Sequence, residues 1–291
     1  MPDQQIDTVA VLGAGTMGNG IAQVCAMAGC RVSLYDAQEG AVARAMGTIR
    51  GNLDKGVERG KVTAEARDST LANLREAADL AAAAGDADLV IEAVPERMEL
   101  KTAIFADLDR LAPTHAILGT NTSSLSVSRI AEATGRAGKV IGLHFFNPVH
   151  IMKLLEVVRG RETAQETVDA SLAFARRIGK EPIVVTDTPG FASSRLGIVL
   201  GLEAMRMVEQ GVASPQDIDR AMELGYNHPM GPLKLTDLVG LDVRLGIAEY
   251  LHGELGDDQY RAPELLRRMV SEGKLGKKSG QGFYDWTQEG K

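Results

Sequence analysis

Cysteine is nearly absent, with two residues, Cys25 and Cys30, in a chain of 291. They stand five apart in and just after one helical pattern, where i and i+5 project in different directions, so they read as buried thiols. Aromatic residues are scarce, at 4% with a single Trp. A surplus of positive charge is also missing, since 32 Lys and Arg against 39 Asp and Glu give a formal charge of −7. That balance argues against a protein built to attract nucleic acid or a membrane surface. No stretch approaches the ~20 apolar residues of a membrane span. Met1 to Asp7 is polar, unlike a signal peptide, and glycine breaks the apolar run that follows. The expectation is a cytoplasmic protein with no nucleic-acid or membrane partner and no metal site. Hydrophobic residues make up 44% of the chain, enough core for one large domain or two ordinary ones.

What is abundant is glycine, 32 residues, and its placement near the N-terminus carries information. A strand-forming run, Ile6 to Leu12, feeds into Gly13-Ala14-Gly15-Thr16-Met17-Gly18, followed by Ile21, Ala22, Val24, Cys25 and Ala28 at helical spacing. In this Gly-x-Gly-x-x-Gly pattern Gly13 permits a sharp turn, Gly15 lets a diphosphate approach the backbone, and Gly18 lets the helix pack close to the strand. The helix N-terminus offers N–H groups and a positive dipole end to phosphate. Alone the pattern is weak. A second apolar run, Val32 to Tyr35, ends in Asp36, 18 residues after Gly18 and near the spacing expected of the acid that binds the adenosine ribose. An acid there repels a 2′-phosphate, which favours NAD over NADP.

Strands and helices then alternate, predicting a doubly wound, mostly parallel sheet with ligands at the carboxyl ends of its strands. A helical excursion over about 39–70 carries Arg44, Arg50, Lys55, Arg59 and Lys61, either a solvated face or a grip on a phosphate-bearing ligand. The Ala-rich stretch from Leu71 to Ala84 reads as a further short helix. Asp88 to Val94 is a buried strand leading to Glu96 and Lys101 at the ligand edge. Ala116 to Gly119 is another, ending in Thr120-Asn121-Thr122-Ser123-Ser124, which either caps the next helix or meets a ligand. His144 emerges at the carboxyl end of a fifth strand, beside Asn147 and Pro148, where a titrating catalytic group belongs. Glu156 lies in the apolar strand Leu154 to Val158, and a buried carboxylate needs a donor, for which His144 is the natural candidate. Alternation stops near Asp187. Residues 1–186 are read as a dinucleotide-binding domain and 187–291 as an all-α domain, whose long apolar helix from Leu196 suggests a subunit interface.

Taken together, these motifs resemble the L-3-hydroxyacyl-CoA dehydrogenase family, and most closely its bacterial 3-hydroxybutyryl-CoA members. The likeness rests on the glycine motif, Glu92-Ala93-Val94-Pro95-Glu96, Asn121 to Leu125, His144 to Pro148, Met152 to Val157, Asp187 to Phe191, Met230-Gly231-Pro232, and Gly276 to Tyr284. It implies a Rossmann domain followed by an all-α domain that dimerises, with an acyl-CoA substrate and NAD. By this resemblance His144 is the catalytic base, Glu156 its paired carboxylate, and Ser123 lies between nicotinamide and substrate. Gly13 to Gly18, Asp36, Glu96, Lys101, Asn147 and Lys278 match cofactor contacts, and Asn52 and Arg59 match coenzyme A contacts. One departure stands out: where the family usually has Asn just before Arg after Pro-Gly-Phe, this chain has Ser194 before Arg195. Ser keeps a donor and an acceptor but reaches less far, leaving room for a bridging water or an altered acyl pocket. Two rivals stay open: a dehydrogenase of a non-CoA hydroxy acid such as gulonate, and an NAD-binding sensor without turnover.

Overall fold

The computed structural model describes residues 5–287. The chain forms two compact units that divide between Thr188 and Pro189. In the first, β1 (Thr8–Leu12) leads to α1 (Thr16–Met27) and β2 (Arg31–Tyr35). The excursion follows as α2 (Ala41–Glu58) and α3 (Ala64–Ala72), then β3 (Leu74–Glu76), α4 (Leu80–Ala84) and β4 (Leu89–Glu92). Next come α5 (Met98–Leu111), β5 (Ile117–Thr120), α6 (Val127–Ala131), β6 (Val140–Phe145), β7 (Leu154–Arg159), α7 (Gln165–Arg177) and β8 (Glu181–Thr186). The eight strands lie in one sheet in the order β3-β2-β1-β4-β5-β6-β7-β8, parallel except for the β6–β7 pair.

β1, β4, β5 and β6 are buried along their whole length. Helices covering both faces of a parallel sheet account for their continuous Val, Ile and Leu runs. The order reverses between β1 and β4, and the crevice at the carboxyl ends of those two strands is where such folds bind ligands. β3 corrects the reading of Leu71 to Ala84 as one helix. Three residues pair with β2 at the sheet edge, too short to show the two-residue alternation by which a strand is read. Asp187 stays with the first unit because its carboxylate accepts hydrogen bonds from the N–H groups of Val127 and Ser128 and the hydroxyl of Ser126, closing the start of α6.

The second unit contains α8 (Ser193–Glu209), α9 (Pro215–Gly225), α10 (Pro232–Val239), α11 (Leu241–Leu255) and α12 (Glu264–Ser271), with short 3₁₀ turns at Asp258–Tyr260 and Lys277–Ser279. Its core gathers Ile198, Leu202, Met205, Leu233, Leu251 and Leu266. Two buried carboxylates fasten the C-terminal stretch to α9 and α10. Asp237 accepts from the N–H groups of Phe283 and Tyr284 and from the Trp286 indole at 2.8 Å, and Asp219 accepts from the Tyr284 hydroxyl at 2.7 Å. Gly276 and Gly282 are required here, because a Cβ on either would lie 2.3 Å or less from an Asp237 atom. Among the described residues no helix is long and apolar enough to cross a membrane.

Candidate active site

The glycine turn has the form that a diphosphate needs. Gly13 has φ +93°, and a Cβ there would lie 2.6 Å from the Ala93 carbonyl oxygen; at Gly18 it would lie 1.7 Å from that of Gly13. At Gly15 nothing stands within 4 Å of a built Cβ. Two glycines thus close the turn while the third leaves it open to a ligand. Gly15 is also the N-cap of α1 and offers no side chain to the first amides of that helix, those of Thr16 and Met17, which can meet an anion. Asp36, at the end of β2, accepts from the Ala14 N–H at 2.7 Å through one oxygen and from the Gln38 N–H at 2.8 Å through the other. Each oxygen keeps a further lone pair for a ribose hydroxyl. The residues present therefore fit an adenine dinucleotide.

At the next two strand ends a network of carboxylates organises the Thr-Asn-Thr-Ser-Ser turn. Glu96 accepts from the Thr122 hydroxyl at 2.6 Å and from the Ser123 and Ser124 N–H groups at 2.8 and 3.2 Å. Lys101 is buried at 1% exposure and donates to Glu92 at 2.6 Å, with Glu96 at 3.4 Å. Its ammonium is committed to those carboxylates, so it acts on the ligand edge through Glu96. Glu92, fully buried, also accepts from the Thr120 hydroxyl at 2.7 Å and the Val94 N–H at 2.8 Å. Glu92 has no role in the sequence reading, although a Glu inside an apolar strand with a Lys nine residues on is the signal of such a pair. Asn121 accepts from the Phe145 N–H at 2.9 Å and ties this turn to the end of β6.

Strand register brings the His–Glu pair together. β6 and β7 run antiparallel with His144 directly opposite Glu156, so both side chains point to one face of the sheet. His144 Nδ1 and Glu156 Oε2 are 2.7 Å apart, with the histidine 5% exposed and the glutamate fully buried. A carboxylate on Nδ1 fixes the tautomer that leaves Nε2 as a proton acceptor. The Phe146 ring lies 4.5 Å from the imidazole, centre to centre. The turn that follows, with exposed Asn147 and a cis Asn147–Pro148 bond, is held by Lys180, which donates to the carbonyls of Val149 and Met152. Burial lowers the pKa of that lysine.

Three of the excursion's five basic residues, Lys55, Arg59 and Lys61, meet at a cleft. Asn52, Lys55, Arg59 and Lys61 line a cavity of about 440 Å³ with Met27 and His150. Asn52 donates to Gln23 on α1 at 3.2 Å. In the second unit Ser194 sits in the first turn of α8, and Lys278 pairs with Asp242 at 2.7 Å. No group of three or more His, Cys, Asp or Glu able to hold a metal ion occurs among the described residues.

A glycine cradle at the switch point and a buried histidine–carboxylate pair on β6 and β7 define a nicotinamide-dependent dehydrogenase. The family model of the 3-hydroxyacyl-CoA dehydrogenase NAD binding domain matches residues 8–188, and that of the C-terminal domain matches residues 190–286. A probable 3-hydroxybutyryl-CoA dehydrogenase of Bacillus subtilis is 46% identical over 98% of this chain and 99% of its own length. The 3-hydroxybutyryl-CoA dehydrogenase of Clostridioides difficile is 44% identical over 96% and 99%. The crystal structure of (S)-3-hydroxybutyryl-CoA dehydrogenase from Ralstonia eutropha superposes with a TM-score of 0.93 at 40% identity, covering 98% of this chain and all of that one. The chain belongs to the 3-hydroxyacyl-CoA dehydrogenase family, and NAD is its cofactor.

Proposed function

We propose that the protein oxidises the 3-hydroxyl of a short (S)-3-hydroxyacyl-CoA such as 3-hydroxybutyryl-CoA to the 3-oxoacyl-CoA, and catalyses the reverse, with His144 as the base. The observation that carries this is the 2.7 Å contact of His144 with Glu156, in a chain whose relatives bear that activity in their names. Bound NAD⁺ supplies the acceptor for the hydrogen on C3. Neutral His144 takes the hydroxyl proton at Nε2, and Glu156 holds the ring in place and stabilises the imidazolium that results. Ser123 orients the substrate oxygen. Glu96, backed by Lys101 and Glu92, fixes the turn that carries Ser123. Asn147 and Lys278 serve the cofactor, as the resemblance implies. A non-catalytic sensor has no need of a base braced by a buried carboxylate.

Asp36 sets the choice of cofactor. Its replacement by Ala is expected to narrow the preference for NAD over NADP, measured as the ratio of the two catalytic efficiencies. Equal efficiency in the unmodified protein would contradict this role.

The cleft of Asn52, Lys55, Arg59 and Lys61 receives the phosphates of coenzyme A, which distinguishes this substrate from gulonate. Reversing both Arg59 and Lys61 to Glu is expected to raise KM for acetoacetyl-CoA roughly tenfold at low salt. Each exposed ion pair with a phosphate contributes a few tenths to about 1 kcal/mol, and the reversed charges add repulsion. The increase should shrink as salt screens the charges. A truncated thioester without the nucleotide should not sense the change, and without that remote binding its turnover should fall as well as its affinity. Identical kinetics for both proteins across the salt series would take the cleft out of the site.

The protein works in the cytoplasm as a homodimer formed through its helical unit. The two free, buried thiols suit a reducing compartment. Leu196, Leu224 and Tyr226, each more than 70% exposed on helices of the second unit or just after one, supply an apolar surface for a second copy.

A further inference from the structure

β5 and β6 part where the Thr-Asn-Thr-Ser-Ser turn begins. Their parallel pairing ends with Thr120 beside Gly142, after which β5 gives way to Asn121-Thr122-Ser123-Ser124 while β6 runs on through Leu143, His144 and Phe145. On its other side β6 stays paired with β7 as far as Phe145. That leaves the N–H of Phe145, a residue 2% exposed, without a strand on the side that β5 has left. A buried amide with no partner costs about as much as a lost hydrogen bond, so another acceptor has to take the place of the strand.

The acceptor is a side chain. Asn121, 8% exposed, takes the Phe145 N–H on Oδ1 at 2.9 Å and donates its own backbone N–H to the Glu92 carbonyl at 2.7 Å. Its backbone is thus held by the end of β4 and its side chain by the end of β6. Ser123 stands two residues beyond Asn121, and His144 one residue before Phe145. One hydrogen bond therefore closes a short path from the residue that orients the substrate oxygen to the residue that takes its proton.

We propose that Asn121 is a positioning residue whose side-chain bond to Phe145 sets the separation of Ser123 and His144, so that both reach the same substrate oxygen. This rests on the dehydrogenase reading above and adds a residue to it. The two groups act together only when each is within hydrogen-bond distance of one atom, and a displacement of about 1 Å at such a site can cost 10²-fold in rate. Glu96 fixes the Ser123 turn from the β4 side, and Glu156 fixes the imidazole from β7. Asn121 joins these two halves, and it works through them rather than on the substrate.

The test is a double-mutant cycle in acetoacetyl-CoA reduction, with Asn121→Ala and Ser123→Ala made singly and together. Asn121→Ala alone is expected to lower kcat by roughly 10- to 100-fold. KM for NADH should hold, since the glycine turn and Asp36 are untouched. In the Ser123→Ala background the same change should cost less than about threefold, because the hydroxyl that it places is gone. Melting curves and NADH fluorescence confirm that each variant is folded. Should Asn121→Ala melt below the assay temperature, Asn121→Ser, whose shorter side chain falls short of Phe145, replaces it in the cycle. Losses that multiply in the double variant, a full rate in Asn121→Ala, or a full rate in Ser123→Ala would each overturn the inference, and the dehydrogenase reading then stands as long as His144→Gln is slow. If the unmodified protein does not reduce acetoacetyl-CoA, both fall.

Discussion

Turnover of the His144→Gln protein is expected to fall by about 10²–10⁴-fold, the usual contribution of a positioned general base. Glutamine preserves much of the size and some hydrogen bonding, yet it cannot accept the 3-hydroxyl proton and become a cation. Binding of NADH, followed by its fluorescence, should survive, because the glycine turn and Asp36 belong to β1, α1 and the end of β2, whereas the histidine stands on β6. Glu156→Gln should also reduce turnover, since a neutral amide stabilises the imidazolium far less than a carboxylate 2.7 Å away. Normal rates in His144→Gln would make the histidine structural and remove the mechanism.

The second large effect is on stability. Lys101→Met leaves Glu92 fully buried without its cation, and breaking a buried pair from one side costs about 3–5 kcal/mol. At roughly 2–4 °C per kcal/mol for a unit of this size, the melting temperature should drop by about 10 °C. Glu96 is deprived of the same cation, so the turn it holds through the Ser123 and Ser124 N–H groups should loosen, raising KM for NAD. Adding Glu92→Gln removes the stranded charge and should recover part of the stability. A melting temperature unchanged in Lys101→Met would mean that the pair contributes nothing to the fold.

These two sites differ in how far they can be read from sequence. Glu156 announces its need for a partner by lying in an apolar strand, and His144 is the titratable side chain at the neighbouring strand end. Their direct opposition depends on the β6–β7 register, fixed by the turn over residues 146–153, whose course no local pattern reveals. The glycine motif is legible because each glycine answers a separate steric demand. Lys101 is different. A lysine in an amphipathic helix reads as solvated or ligand-facing, and only its 1% exposure beside Glu92 shows that it braces the sheet edge. β3 escapes because three edge residues carry too little periodicity.

The central claim is that this chain is an NAD-dependent dehydrogenase of a 3-hydroxyacyl-CoA. Its most direct test is the absorbance at the NADH band, recorded side by side with acetoacetyl-CoA plus NADH and with gulonate plus NAD⁺. The account predicts rapid loss of NADH with acetoacetyl-CoA and little or no NADH formed from gulonate. NADH formed from gulonate while acetoacetyl-CoA leaves the absorbance unchanged would contradict it.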